Sequence, residues 1–115
     1  MKRVLMVLLA GVGVLIGVAL SQAGGDVENG KRLFESPTLG NGTSGKTCVT
    51  CHPGGRNLSS RMFGGDGDSA EVRARKRSRL AGMVNTCIEK PLAGKAIDPS
   101  GSEMADVIAY METLL

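Results

Sequence analysis

Cys48-Val49-Thr50-Cys51-His52 is the stretch on which the reading of this chain turns. C-x-x-C-H is the attachment pattern of a c-type haem. Each residue type has a task in it. Two thiols three positions apart add to the two vinyl groups of the porphyrin. The imidazole next in line lies under the iron as its proximal ligand. His52 is the only histidine among the 115 residues, so no second imidazole can take the sixth position.

Three plainer chemistries compete for the same residues. A redox dithiol of Cys48 and Cys51 normally opens a helix in a βαβ unit, and the chain shows no such unit. A structural disulfide between them leaves Cys87 as an odd thiol. A zinc site would draw on Cys48, Cys51, His52 and Cys87 as a Cys₃His set. Adjacent Cys51 and His52 reach one tetrahedral metal poorly. The haem reading uses the whole pattern.

The beginning of the chain fits an exported protein. Lys2 and Arg3 form a basic start, Val4 to Leu20 is apolar, and Ser21-Gln22-Ala23 places small residues before a cleavage point. Residues 1–23 are therefore expected to be a signal peptide cut after Ala23. The apolar run is short and glycine-rich for a spanning helix, so no stable membrane insertion is expected after cleavage. Export places the rest in the periplasm, the compartment where bacteria attach c-type haem.

Removing 23 of the 115 residues leaves 92, enough for one domain over 24–115 with a modest core. That domain has no Trp, one Tyr and two Phe. A covalently held porphyrin would be its largest apolar body, serving as core and redox centre together. Without Lys2 and Arg3 the 14 basic residues become 12 against 11 acidic ones, a net charge of +1. That balance gives no ground for nucleic-acid binding. One cluster stands out: Arg73, Arg75, Lys76, Arg77 and Arg79. It reads as a solvated helix face, as a docking patch for an acidic redox partner, or as counter-charge for haem propionates.

The periodicity is helical throughout. Asp26 can cap a helix from about Val27 to Glu35, with Val27, Gly30 and Phe34 on one face. Gly30 would let another helix cross closely. Thr38 to Lys46 reads as loop. After the motif, Pro53 to Leu58 forms a glycine-rich turn. It can bring a backbone carbonyl to the second ring nitrogen of the proximal histidine, with Leu58 packed on the haem. Asp68-Ser69-Ala70-Glu71 suggests a capping box with Asp68 as cap, opening a helix from about Ser69 to Glu89. Leu80, Met83, Val84, Cys87 and Ile88 form its apolar stripe. Ser100-Gly101-Ser102-Glu103 fits a second capping box. The last helix then buries Met104, Val107, Ile108, Met111 and Leu115, with Tyr110 beside them to cross Gly30 and Phe34. No strand pattern and no repeat is present, so the expected fold is all-α.

Gly30-Lys31-Arg32-Leu33-Phe34, the Cys48-to-His52 motif and Val107-Ile108-Ala109-Tyr110 together resemble a class I cytochrome c. The resemblance implies a small helical domain wrapped around one covalent haem, its first and last helices crossing beside the ring. A second block is similar to thiosulfate dehydrogenases and related sulfur-oxidation cytochromes. It comprises Met83-Val84-Asn85-Thr86-Cys87, Pro91-Leu92-Ala93-Gly94-Lys95, Ser102-Glu103-Met104 and Ala109-Tyr110-Met111. In those enzymes the cysteine matching Cys87 ligates the haem iron. They carry a second C-x-x-C-H domain, and this chain has one motif.

The sixth iron ligand stays open at this stage. Class I cytochromes use a methionine a short way before the last helix, and none lies between Met83 and Met104 here. The candidates are Cys87, on an apolar stripe and left over as a third thiol, then Met62, Met83 and Met104, or an open site. Free cysteine is also often plain core. The expected function is a periplasmic monohaem c-type cytochrome, a single-electron carrier between redox partner proteins. The alternatives are a haem subunit or enzyme acting on thiosulfate or a related sulfur compound, and a haem sensor with an exchangeable sixth site.

Overall fold

The computed structural model describes residues 24–59 and 67–115. The expected signal peptide, 1–23, and Met62 with its loop lie outside the described residues. The described residues form four α-helices: α1 (Val27–Phe34), α2 (Cys48–Cys51), α3 (Ala70–Glu89) and α4 (Ser102–Leu114). Among the described residues there is no strand, so the described fold is all-α. No helix among them is long and apolar enough to cross a membrane.

α1 and α4 cross at Gly30. A Cβ there would stand 2.6 Å from the Asp106 carbonyl carbon and 2.9 Å from the Tyr110 Cβ. Glycine is what the close approach requires. Beside it, Phe34 and Tyr110 pack edge to face, ring centroids 5.4 Å apart at 67°. The Asp106 carboxylate fastens the start of α1. One oxygen accepts the Asp26 N–H at 2.7 Å and the other accepts the Asn29 side-chain amide at 2.7 Å. Asp26 in turn caps the helix, accepting the Asn29 N–H. That polar first turn corrects the expected apolar face. Val27 is 39% exposed, and Leu33 joins Gly30 and Phe34 inside.

α3 lays its expected stripe against the same core: Leu80, Val84 and Ile88 are buried, with Met83 and Cys87 partly so. α4 contributes Met104, Val107, Ile108, Ala109 and Met111. The caps differ by one position from the expected ones. Ser69, not Asp68, accepts the Val72 N–H at the start of α3. At α4 the capping place falls on Gly101, which has no side chain to give. The preceding turn is held by Asp98, whose carboxylate accepts the Ser100 N–H and whose carbonyl accepts the Gly101 N–H.

The loop over 38–46 is tied down rather than free. The Leu92 carbonyl accepts the N–H groups of Thr43 and Ser44, and the Gly40 carbonyl accepts that of Lys95. Thr43 and Ser44 hydroxyls donate to the Ala93 and Pro91 carbonyls. These bonds tie the exposed loop to the segment that follows α3. They seat Leu39, 3% exposed, and Leu92, fully buried, in the core.

Candidate functional site

α2 is a single turn, and its register decides where the motif points. The Thr50 hydroxyl accepts the Thr47 N–H at 2.9 Å, closing the turn at its start. Cys48 faces inward and is 4% exposed, whereas Cys51 faces solvent. His52 follows outside helical geometry, at φ −127° and ψ 59°, and is half-buried.

The turn after His52 needs left-handed backbone at three places: Gly54 at φ 62°, Gly55 at φ 79° and Asn57 at φ 67°. Two glycines and an asparagine are the residues that take that region at low cost. Gly55 also docks the turn on α4, where a Cβ would come within 2.8 Å of the Leu114 Cβ. The result is that the Arg56 carbonyl lies 2.9 Å from His52 Nδ1. A carbonyl only accepts, so Nδ1 carries the proton and donates it there. Nε2 is left as a free lone pair. This is the tautomer an imidazole needs to bind a metal through Nε2, with its ring orientation held from behind.

Phe34, Cys48, His52, Leu58, Met83, Val84, Cys87 and Met111 line one hollow among α1, α2, α3 and α4. Apart from the imidazole and the sulfurs its wall is hydrocarbon and aromatic. Leu58, expected to pack on a haem, is one of the residues that line this hollow. Cys48 Sγ and Cys87 Sγ are 3.9 Å apart. The half-buried Cys87 gives up its proton before the buried Cys48. A hydrogen bond from Cys48 holds the Cys87 thiol down to about 7, against burial, which pushes it up. The same contact, with burial, drives the Cys48 thiol far above its ordinary range.

Of the sequence-derived site residues, the structure brings together Cys48, His52, Cys87 and Met83. Cys51 stands on the solvent side of the same turn. Met104 is fully buried and does not line the hollow; it packs beneath, in the core. Met111 lines the hollow, although its spacing marked it only as core. No three His, Cys, Asp or Glu side chains among the described residues converge as a metal cluster, so the Cys₃His zinc set is not assembled. The donor types are those of a covalent haem, and the hollow, about 20 Å³ in this structure, would have to open to admit the ring. Cys48 and Cys51 are the residues that would hold it, His52 Nε2 would face the iron, and Cys87 and Met83 are sulfur donors within the same apolar wall. Comparison with family models, with curated proteins and with solved structures finds no match for this chain.

Proposed function

We propose that this chain is an exported monohaem c-type cytochrome that carries single electrons between periplasmic redox partners. The observation that carries the reading is the His52 ring, held at Nδ1 by the Arg56 carbonyl beside the inward thiol of the C-x-x-C-H motif. A proximal ligand needs its second ring nitrogen held in this way, and it is the combination of that bond with the C-x-x-C-H spacing that supports the reading. When bound, the haem would supply a one-electron Fe(III)/Fe(II) couple. The protein's part would be to fix the His52 ring, keep water from the apolar wall formed by Phe34, Leu58, Val84 and Met111, and offer a sulfur on that wall that could bind the iron.

Cys87 is the favoured sulfur. It lies on the wall, and an iron ion would itself favour its thiolate, as metals do for coordinating thiols. The same residue keeps the sulfur-compound reading in play, because the similar block in sulfur-oxidation cytochromes carries a ligating cysteine there. Adding thiosulfate to the oxidised protein separates the two. An electron carrier stays oxidised without a partner, whereas an enzyme on thiosulfate is reduced. The primary test is mass spectrometry of the exported protein. The expected result is the cleaved chain plus one haem that survives acid–organic extraction. Stoichiometric zinc without a Soret band would sink the reading.

A further inference from the structure

Two of the three cysteines are neighbours in space though 39 positions apart in sequence. Cys48 Sγ lies 3.9 Å from Cys87 Sγ. The motif's own second thiol, Cys51, is exposed. Disulfide sulfurs sit about 2.05 Å apart, so closing the pair takes a movement of roughly 2 Å. Cys48 opens a one-turn helix, and Cys87 sits in the last turn of α3, so both side chains stand at element ends. Cys87 is also the less buried of the two, which makes it the sulfur an oxidant reaches first.

We propose that the haem-free chain forms a Cys48–Cys87 disulfide, and that this bond, rather than one inside C-x-x-C, withholds Cys48 from haem attachment in an oxidising compartment. The pairing stands on the sulfur geometry alone; its consequence for attachment rests on the haem reading. The oxidant is a small disulfide such as oxidised glutathione. Cys87, as thiolate, attacks one of its sulfurs, forming a mixed disulfide and expelling one glutathione thiolate. With Cys87 held in the mixed disulfide, the contact that kept the Cys48 proton in place is gone, and Cys48 loses its proton as it attacks the Cys87 sulfur and expels the second. Two protein thiols are oxidised, one glutathione disulfide is reduced, and the two expelled thiolates take up the two protons the cysteines lost. Reduction reverses the exchange and returns Cys48 for attachment and Cys87 for the iron.

The test uses the full haem-free chain, produced in a reducing compartment and then incubated with oxidised glutathione. Remaining thiols are alkylated before proteolysis, and the disulfide-linked peptides are mapped by mass spectrometry. The expected product has one alkylated cysteine, Cys51, and a Cys48–Cys87 link. Cys51→Ser should keep that link, and Cys48→Ser, which cannot form it, should leave Cys51 and Cys87 both alkylated. A Cys48–Cys51 or Cys51–Cys87 bond as main product, or no bond, overturns the pairing. In the second arm, oxidised and reduced chains are offered ferrous haem. Uptake by the reduced chain alone is expected. Equal uptake overturns the gating. No uptake by either overturns the gating and the haem reading together, while the mapped disulfide still reports on the pairing.

Discussion

The His52 ring is positioned by a backbone carbonyl, so no side-chain substitution at Arg56 removes its partner. The informative residue is Cys87. Thiolate donates more charge to Fe(III) than a thioether does, so it favours the oxidised state, whereas methionine raises the potential. Cys87→Ala is expected to leave the haem attached, alter the ferric spectrum and raise the reduction potential. The rise should be a clear fraction of the roughly 0.8 V that axial ligands span. Spectroelectrochemistry of the two proteins checks this. A methionine-to-iron charge-transfer band in the unmutated ferric protein would assign the ligand to Met83 or Met62 instead. An unchanged spectrum and potential would make Cys87 plain core.

Between elements, two glycines in helices carry opposite expectations. At Gly30 an added Cβ meets the α4 backbone at Asp106, and a helix backbone cannot swing aside as a side-chain tip can. Gly30→Ala should cost about 1–3 kcal/mol, as overpacking does. Gly82, in the exposed middle of α3, has nothing within 4 Å of its Cβ position. Gly82→Ala should stabilise by about 0.5–1 kcal/mol, because it removes unfolded-chain freedom. Denaturant midpoints measure both, and equal signs would refute the account of the crossing. A second inter-element device is Asn85, which closes both bonds with Ile97 as a strand partner would. Its Nδ2 donates to the Ile97 carbonyl at 3.0 Å, and its Oδ1 accepts the Ile97 N–H at 2.9 Å. Asn85→Ala strands both groups part-buried and should cost about 1–3 kcal/mol. Faster hydrogen exchange at the Ile97 amide would localise that loss to the loop before α4.

Over the whole molecule, charge is distributed unevenly. Arg73, Arg75, Arg77 and Arg79 are exposed along the N-terminal half of α3, and Lys76 is half-exposed between them. The apolar stripe begins only at Leu80, so the same helix presents a basic end to solvent and an apolar end to the hollow. If this face meets an acidic partner, its effect is on encounter rather than on chemistry. Reversing two charges, as in Arg75→Glu with Arg79→Glu, should slow electron transfer severalfold at low ionic strength. It should also flatten the dependence on salt, since screening then has less attraction to remove. Stopped-flow rates against an acidic redox protein decide it. Unchanged rates at low salt would leave the arginines as a solvated face.

Three of the four helices were legible in the sequence because their apolar residues recur at helical spacing and their caps stand within a residue of the observed ones. The close approach at Gly30 and the carbonyl behind His52 were legible too, the first from a glycine on the inner face of a helix and the second from the glycine-rich turn directly after the histidine. What the sequence could not specify is long-range. Leu39 and Leu92 look like isolated loop leucines until the Leu92 carbonyl is seen to accept Thr43 and Ser44. Val27 fits the apolar face of α1 by period, but Asp106 claims that turn for polar bonds. Met111 reads as core until the cavity beside it is visible. The meeting of Cys48 with Cys87 follows from how α2 and α3 pack. Periodicity along one chain determines which face of a helix is apolar. Only the packing of several helices at once decides which of those residues share a wall.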